Sequence, residues 1–539
     1  MKKTVVLTAL LTAAGLRAAV TIEQVTTVSA VSTTTYMGTN VALDSLNTVH
    51  VTYYDPASQR LRYTKLVNGQ TTWSAPINVI DQPVSPRSDM KLSGNTPHVV
   101  FYEIDATGAR AGVKHTQLSG TTFQSPTTIQ SFVSTTTYVS LAIASSGRPR
   151  VAFNNTVSSA TVYAAYNGTA WSTETVRISS HPTAVALDLA SDDTPRLAFL
   201  GGDPVSFDER WGYMAVGGST PTVTGFWFVD WATHPASGLA LVVDGNNQSH
   251  IFDSYTAGGS RWIEYYLASS TGGALNYEFV DEGSEFLSAA VSGLERPRVV
   301  YQSPTTGFES AAWNGTGWDY SVLDGSAAVA GVGPSVVYNR FDHYLTTYYT
   351  TAPAAAVNLQ TDANRGLTLG GTVQDFSAAA IPGALAQLVG NIATESLAAG
   401  TGTYSKLNLW EGGYTVTPSA AGFAFIPASQ FVSLQATNTA VNFVGGPVSA
   451  DATDNLFDPS VGETMAVNYS VLPGPVLVRV YTLRGVPVKT LVDGAHAAGA
   501  FSTTWDGRND AGEIVASGIY LIRIEADRLN EILKAAVIK

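Results

Sequence analysis

Three sets of side chains in this sequence have types and spacings that could do chemistry: histidines, clustered carboxylates and regularly spaced tryptophans. The histidines His50, His98 and His250 share one position of an internal repeat. Imidazoles bind a metal only when they converge on it, and a shared repeat position places them in separate units. In three further units an arginine takes that position: Arg150, Arg196 and Arg298. We therefore expect a structural position facing solvent or a neighbouring unit, with no metal site and no cofactor.

The carboxylates form two clusters. They are Asp188, Asp192 and Asp193, and Asp203, Asp208 and Glu209. Paired carboxylates can hydrolyse glycosidic bonds or bind calcium, but the sequence contains no Asp-x-Asp-x-Asp-Gly loop. Gly-x-Ser-x-Gly, His-Glu-x-x-His and phosphate-binding motifs are also missing. We expect solvated turns at both clusters and predict no catalytic residue and no enzyme activity.

The tryptophans Trp73, Trp171 and Trp318 each follow an Asn-Gly turn at the corresponding point of their repeat units. Phe123 and Tyr277 take that place in two other units. Such aromatic side chains either staple the outer strands of each unit or form stacking platforms for sugars, as in propeller lectins. Stapling is the more common role, so ligand binding by these three tryptophans is a hypothesis. Exposed aromatic side chains at equivalent positions would favour it.

The elements that position these residues belong to a repeat that runs through the first 360 residues. A turn, a polar or basic residue and an apolar strand ending in an aromatic residue recur roughly every 50 residues. Four short strands in each period of this length are typical of β-propeller blades. The instances begin at His50, His98, Arg150, Arg196, His250, Arg298 and Ser335. The pattern predicts an all-β chain with a repeat-built propeller of about seven blades over residues 20–360.

The seventh unit is short, and the interval from Arg298 to Ser335 is smaller than the others. The sequence Val20–Val25 forms a strand pattern that precedes the first unit and has no partner within it. Ring closure removes exposed sheet edges. We therefore expect this N-terminal strand to pair into the last blade.

Two small β-sandwich domains are expected after the propeller. Residues 366–446 contain a Gly-Gly-Thr-Val strand at 370–373, a Pro-Gly-Ala turn at 382–384 and a Gly-Gly-Tyr strand at 412–414. This pattern resembles the carboxypeptidase regulatory-like β-sandwich. The resemblance implies a structural spacer, or in some cases contact with carbohydrate.

Residues 447–539 carry the most specific motifs. Asn-Leu-Phe-Asp-Pro at 455–459, Tyr-Thr-Leu-Arg-Gly at 481–485, Trp-Asp-Gly at 505–507 and Gly-Ile-Tyr at 518–520 follow in order. The segment resembles the FlgD-type immunoglobulin-like domain and the type A sorting domains of type IX secretion, although Asp458 replaces an Asn of that pattern. The resemblance implies a secretion or attachment module without catalytic residues. We also expect Asp506 to accept hydrogen bonds from turn amides.

Composition narrows the classes of function. The formal net charge is −13, from 29 basic and 42 acidic residues, and the sequence has no basic stripe, which argues against nucleic-acid binding. No cysteine is present, so disulfides and thiolate metal sites are excluded. Residues 1–19 combine Lys2 and Lys3 with an apolar stretch and small residues, which is typical of a signal peptide. No other apolar stretch is long enough to span a bilayer, so an integral membrane protein is not expected.

Together these features predict a secreted or cell-surface protein of the binding or adhesion type. Its propeller would be the recognition head, with glycans or surface proteins as partners. Its C-terminal domain would engage the secretion or attachment machinery. The alternative is a carbohydrate-active propeller, either a lectin or a glycoside hydrolase.

Overall fold

The computed structural model describes residues 20–28, 37–106, 108–134, 138–178, 182–202, 209–215, 222–228, 238–257, 260–269, 275–283, 286–303, 305–325, 332–351 and 354–539. These residues form β-strands, turns and one short 3-10 helix, Pro459–Val461. The chain divides into two compact units, with Asn364 ending the first and Arg365 beginning the second. Within the described ranges, no helix has the length and apolar character needed to cross a membrane.

Seven antiparallel sheets make up the first unit, which begins with β1 (Thr21–Thr27). Blades 1 to 3 contain β2 (Thr39–Leu43), β3 (Val49–Asp55), β4 (Arg60–Leu66) and β5 (Ile77–Asn78); β6 (Val84–Ser93), β7 (Thr96–Ile104), β8 (Arg110–Ser119), β9 (Thr122–Phe123) and β10 (Thr127–Ser134); and β11 (Val139–Ile143), β12 (Pro149–Asn155), β13 (Ala160–Tyr166) and β14 (Trp171–Ile178). Blades 4 to 6 contain β15 (Pro182–Leu189), β16 (Pro195–Gly202), β17 (Glu209–Ala215) and β18 (Thr222–Phe228); β19 (Gly238–Val243), β20 (Ser249–Ala257), β21 (Ser260–Ala268) and β22 (Leu275–Glu282); and β23 (Leu287–Val291), β24 (Pro297–Ser303), β25 (Gly307–Trp313) and β26 (Trp318–Asp324). Blade 7 contains β27 (Val332–Tyr338), β28 (Tyr344–Thr350), β29 (Ala356–Thr361) and β1.

The first strands of the seven blades surround a central channel. These strands are β2, β6, β11, β15, β19, β23 and β27, and each contacts the next in a closed ring. Neighbouring blades pack face to face, as where Tyr102 of blade 2 lies in one apolar cluster with Val151 and Phe153 of blade 3. The predicted propeller and its seven blades are confirmed.

The N-terminal strand closes the ring, as its unpartnered position predicted. Strand β1 pairs antiparallel with β29, with Thr21 opposite Thr361 and Thr27 opposite Ala356. Blade 7 therefore takes its outermost strand from one end of the propeller sequence and its other three strands from the opposite end.

The repeat assignment of Ser335 was wrong by one strand. Ser335 lies on β27, the first strand of blade 7, whereas the other six instances lie on second strands. Because Tyr338 pairs with Tyr344 as Leu43 pairs with Val49, the residue equivalent to His50 is Leu345. The first and the second strand of this blade are both apolar and both contain aromatic residues, so their composition did not show which of the two carries the repeat position. The shift accounts for the short last interval.

The second unit contains two β-sandwiches. The first has the strands β30 (Leu367–Asp375), β31 (Leu385–Gly390), β32 (Ile392–Ala398), β33 (Thr403–Leu409), β34 (Gly412–Ser419), β35 (Phe423–Ile426), β36 (Gln430–Leu434) and β37 (Phe443–Pro447), in the sheets β33-β30-β37-β35 and β32-β31-β34-β36. The second has β38 (Ser449–Thr453), β39 (Leu456–Phe457), β40 (Met465–Val471), β41 (Gly474–Thr482), β42 (Pro487–His496), β43 (Gly499–Trp505), β44 (Gly518–Ala526) and β45 (Leu529–Val537), in the sheets β38-β40-β43 and β39-β45-β44-β41-β42.

The C-terminal sandwich is organised around Trp505. Its indole is fully buried and contacts the rings of Phe457 and Tyr520, with centroid separations of 5.6 and 5.2 Å. One residue later, Asp506 accepts a 3.1 Å hydrogen bond from the backbone N–H of Arg508, as predicted for the Trp-Asp-Gly turn. The Trp-Asp-Gly motif thus places a buried core side chain directly before a hydrogen-bonded turn.

Candidate functional site

The three predicted tryptophans lie at equivalent places in different grooves between blades. Trp171 and Trp318 begin the fourth strands of blades 3 and 6, and Trp73 precedes the fourth strand of blade 1. Each indole N–H donates to the outer strand of the preceding blade. The acceptors are Glu23 Oε1 at 2.8 Å from Trp73, Thr127 Oγ1 at 3.3 Å from Trp171 and Glu278 Oε2 at 3.1 Å from Trp318. The structure therefore repeats one arrangement and does not bring the tryptophans together in one site.

Beneath these aromatic side chains lies a polar pair on the preceding blade. Trp171 packs edge-on against His115 at 5.5 Å, and His115 Nε2 lies 3.0 Å from Nδ1 of His98. Trp318 packs against Tyr265 at 5.2 Å, whose hydroxyl lies 2.8 Å from His250 Nδ1. The same arrangement recurs where Phe123 meets Tyr63, at 5.4 Å. Each repeat histidine thus joins the second and third strands of its blade, under an aromatic side chain of the next blade.

The repeat histidines are buried. His50, His98 and His250 lie in blades 1, 2 and 5 and are at most 5% exposed. Burial lowers the pKa of His98 to about 4 and that of His115 to about 3. In blades 1 and 5 a turn aspartate, Asp44 or Asp244, lies 3.3 Å from the histidine Nε2. Among the described residues no three His, Asp or Glu side chains are grouped closely enough to hold a metal ion.

Sequence reasoning missed the third-strand partners of these histidines. His50 meets Tyr63, His98 meets His115 and His250 meets Tyr265 at separations of 13, 17 and 15 residues. The aspartates precede their histidines by 6 residues in both blades. This repeated Asp-His-Tyr spacing was the available signal.

Blades 3 and 6 share a nearly identical surface segment, called here the aromatic turn. It is Tyr-Asn-Gly-Thr-Ala-Trp at 166–171 and Trp-Asn-Gly-Thr-Gly-Trp at 313–318. Tyr166 and Trp171 lie 5.2 Å apart at 45°, and Trp313 and Trp318 lie 5.5 Å apart at 65°. All four rings are partly exposed at the surface.

The asparagine of each aromatic turn fixes its backbone. Asn167 Oδ1 accepts the N–H groups of Thr169 and Ala170 at 2.8 and 2.9 Å. Asn314 Oδ1 does the same for Thr316 and Gly317 at 2.9 and 3.0 Å. Such Asx turns are locally encoded. The structure thus holds a pair of aromatic side chains rigidly at the same point of two blades.

The groove between blades 1 and 2 contains a cavity of about 560 Å³. Strands β5 and β9 contain only two residues each, so the two blades leave this groove open. Phe123, which corresponds to the tryptophans, lies in its wall. The polar part of the wall comprises Arg62, Asn78, Asp81, Gln82, Gln124 and Ser125. Clefts of this size are typical of small-molecule sites.

The central channel is small and its carboxylates are structural. Its cavity measures about 150 Å³ and is lined by residues of all seven first strands. Asp89 accepts the Leu141 N–H at 2.7 Å, and Asp188 accepts the Val243 N–H at 2.8 Å, so each joins its strand to the next blade. Burial raises the pKa of Asp188 even though Lys91 favours its charged form.

Asp188 was expected in a solvated turn, and that expectation was wrong. It lies on the first strand of blade 4, and its carboxylate accepts a backbone N–H of the next blade. Asp192 and Asp193 do lie in the following turn, where Asp193 accepts hydrogen bonds from Ser145. Asp203 and Asp208 lie outside the described residues. Glu209 begins β17.

One buried carboxylate was not anticipated from the sequence. Asp253 on β20 is 2% exposed, and its Oδ1 has no hydrogen-bond partner. It lies opposite Glu264 on β21, whose carboxylate accepts a hydrogen bond from Tyr266 at 2.5 Å. Burial, followed by the charge of Glu264, raises the pKa of Asp253 well above its ordinary value. This carboxyl group is therefore held in the folded chain at a cost in stability.

Comparison with known proteins identifies one domain of the chain. Residues 468–529 match the FlgD Ig-like domain family, so the C-terminal sandwich is a FlgD Ig-like domain. No curated protein matches the chain. The similar solved structures share the propeller-like fold at low identity.

Three of these structures act on or bind carbohydrates. Polysaccharide lyase Uly1 is 11% identical, with 60% of this chain and 89% of that chain covered and a TM-score of 0.43. The SapL1 lectin in complex with alpha methyl fucoside is 16% identical, with coverages of 55% and 98% and a TM-score of 0.36. The alpha-L-arabinanase of Penicillium chrysogenum, complexed with arabinobiose, is 9% identical, with coverages of 63% and 97% and a TM-score of 0.38.

Proposed function

We propose that the chain is an extracellular binding protein whose propeller recognises carbohydrate in the grooves between its blades. One observation carries this proposal: the aromatic turns place two partly exposed rings at the same point of blades 3 and 6. Aromatic faces stack on the C–H groups of sugar rings. Rigid turn backbones preserve the geometry of the platform before the ligand arrives, which lowers the entropy lost on binding.

The neighbouring groups are also suited to sugars. In each aromatic turn the threonine, Thr169 or Thr316, and the backbone next to it are exposed to solvent. Hydroxyl and amide groups provide the donors and acceptors that sugar hydroxyls require. The open groove between blades 1 and 2 adds a polar wall around Phe123. The propeller thus has several separate places for one class of ligand.

The remaining parts of the chain complete the proposal. Residues 1–19 would direct export, and the sandwich over 366–446, of the predicted carboxypeptidase regulatory-like type, would act as a spacer. The FlgD Ig-like domain would serve sorting or attachment at the cell surface, which makes the protein an adhesion-type binder. Deleting residues 447–539 should then release the protein from the cell surface or retain it before export, as fractionation would measure.

Binding is tested with the full chain on a glycan array and by polysaccharide pull-down, with and without calcium. We expect saturable binding that is lost in the Trp171→Ala, Trp318→Ala double variant. Trp171→Phe should retain much of the binding, because it keeps an aromatic face and removes only the N–H bond to Thr127. Trp410→Phe, a conservative change in the first sandwich of the second unit, is the matched control.

The alternatives predict other results. Saturable binding that survives the double tryptophan variant would place the ligand elsewhere and refute these platforms. No binding to any glycan would refute the proposal and favour a protein partner. Release of shorter saccharides from a bound polymer would indicate an enzyme and contradict a purely binding role.

A further inference from the structure

We infer that the aromatic turns of blades 3 and 6 bind the anionic groups of an acidic polysaccharide through Arg148 and Arg296. This inference rests on the proposed carbohydrate-binding function and names the ligand class of the same surfaces. Arg148 follows the turn between β11 and β12, and Arg296 follows the turn between β23 and β24. In an antiparallel four-stranded blade, the first and third turns lie at the same end of the sheet. Each arginine is therefore at the end of the blade that carries the aromatic turn.

The two guanidinium groups approach the aromatic turns in the same way. A Cβ atom at Gly168 would lie 3.4 Å from Arg148 Nη2, and one at Gly315 would lie 3.5 Å from Arg296 Nη2. Both glycines have positive φ angles, of 108° and 106°. Glycine adopts these φ angles without strain, and it has no side chain that would separate the arginine from the turn. The guanidinium therefore lies directly beside the backbone of the aromatic turn.

The turns that carry these arginines are anchored to the next blade. The backbone N–H and hydroxyl of Ser145 donate to the Asp193 carboxylate at 2.7 and 2.6 Å. The N–H of Gly293 donates to Asp342 Oδ1 at 2.6 Å. A proline follows each arginine and begins the second strand. The backbone is thus held in place while the arginine side chain extends into solvent.

Neither arginine forms an ion pair with another residue that the structure describes. Some arginines of the described chain pair with carboxylates, as Arg60 does with Asp81, and others donate to neutral groups, as Arg298 does to the Tyr338 and Ser310 hydroxyls. No carboxylate of the described residues lies within ion-pair distance of Arg148 or Arg296, and both side chains are exposed. What distinguishes Arg148 and Arg296 is that both are exposed, without a carboxylate partner, at equivalent positions beside the two aromatic turns. A guanidinium fork binds a carboxylate or a sulfate in a bidentate manner.

An acidic sugar can contact both the aromatic pair and the arginine of this surface. Its ring C–H groups stack on the aromatic pair, and its carboxylate or sulfate reaches the guanidinium. Two such surfaces on one propeller allow a polymer to bind at both, which raises its apparent affinity. The contact between the exposed guanidinium and the acidic group is screened by salt, so this contact should weaken as the salt concentration rises.

The two surfaces should differ in strength. In blade 6 the Asn314 Nδ2 donates to the Asp319 carboxylate at 2.8 Å, so a negative charge lies beside the turn. In blade 3 the residue after Trp171 is Ser172, which is uncharged. We therefore expect Arg148→Ala to weaken binding more than Arg296→Ala does.

Affinity electrophoresis of the full chain in gels containing polygalacturonate, dextran sulfate or unmodified dextran tests the inference. We expect retardation by one or both acidic polymers at low salt and about a tenfold weaker affinity in the Arg148→Ala, Arg296→Ala double variant. Arg148→Lys should recover only part of the loss, because lysine lacks the fork. Arg484→Ala, which changes an exposed arginine in the turn between β41 and β42, should migrate as the unaltered chain does.

The outcomes separate the two proposals. Retardation by polygalacturonate alone assigns a carboxylate ligand, and retardation by dextran sulfate alone assigns a sulfate ligand. Equal binding of neutral and acidic polymers, unchanged in the double arginine variant, overturns the acidic-ligand inference and leaves carbohydrate binding intact. Failure of every glycan on the array and in the gels overturns both.

Discussion

Replacing Trp318 tests whether the inter-blade tryptophans stabilise the propeller. The indole packs against Phe252, Tyr265 and Trp313 with centroid separations of 5.8, 5.2 and 5.5 Å. It also donates to Glu278 of the preceding blade. Trp318→Ala removes all these contacts at the groove between blades 5 and 6. The free energy of opening this groove should therefore fall.

The magnitude follows from the partial burial of the side chain. Removing a fully buried tryptophan costs about 3–5 kcal/mol, and a half-buried ring should lose about half of that. The hydrogen bond to Glu278 is exposed and adds about 0.5 kcal/mol. We expect Trp318→Ala to cost about 2–3 kcal/mol and Trp318→Phe about 1 kcal/mol, because phenylalanine keeps most ring contacts.

Hydrogen exchange of peptides from β21 and β26 measures this local opening free energy. Peptides from the C-terminal sandwich in the same digest are the internal control. Tyr320→Ala, on the same strand but with 52% of the side chain exposed, should cost about 1 kcal/mol or less. Unchanged hydrogen-exchange protection of β21 and β26 in Trp318→Ala would refute the claim that this indole stabilises the groove. Ligand binding would then be the role left for it.

Three further changes probe the blades. The contribution of the buried His98 and His115 to the unfolding free energy should fall as pH drops from about 6.5 towards 4, because their pKa values, lowered to about 4 and 3, make them take up protons more readily when unfolded. A His98→Gln, His115→Gln variant should lack this contribution, as thermal unfolding at pH 6.5 and pH 4 would measure. Asp253 contributes in the opposite sense: because burial raises its pKa, its cost to the folded chain grows as pH rises above 3.8. Asp253→Asn should be more stable than the unaltered chain near neutral pH, with the difference vanishing towards pH 4, and a difference in thermal unfolding that is the same at both pH values would contradict this. Val25 on β1 is 7% exposed, so Val25→Asp should cost about 2–3 kcal/mol and expose β1 to limited proteolysis, whereas Glu23→Gln on the same strand should leave cleavage unchanged.

The blade architecture was predictable because its determinants are local. Each blade is four short strands joined by turns, and turn residues such as Asp44 and Asp244 bond to amides only two and four positions away. The unpartnered strand near the N-terminus also indicated ring closure, because an open propeller would leave two edges unpaired. The Trp-Asp-Gly turn of the last domain followed the same logic.

The sequence by itself indicated short strands, a propeller of about seven blades and the positions of the three tryptophans in the repeat. Only the tertiary structure decided which strand of blade 7 carries Ser335, that Asp188 lies on a strand and bonds to the next blade, and that an exposed arginine lies beside each aromatic turn. The physical reason is that strand order and side-chain direction depend on contacts between blades, which join residues about 50 positions apart in sequence. Local patterns specify each blade, whereas ring closure specifies what each side chain meets in the next one.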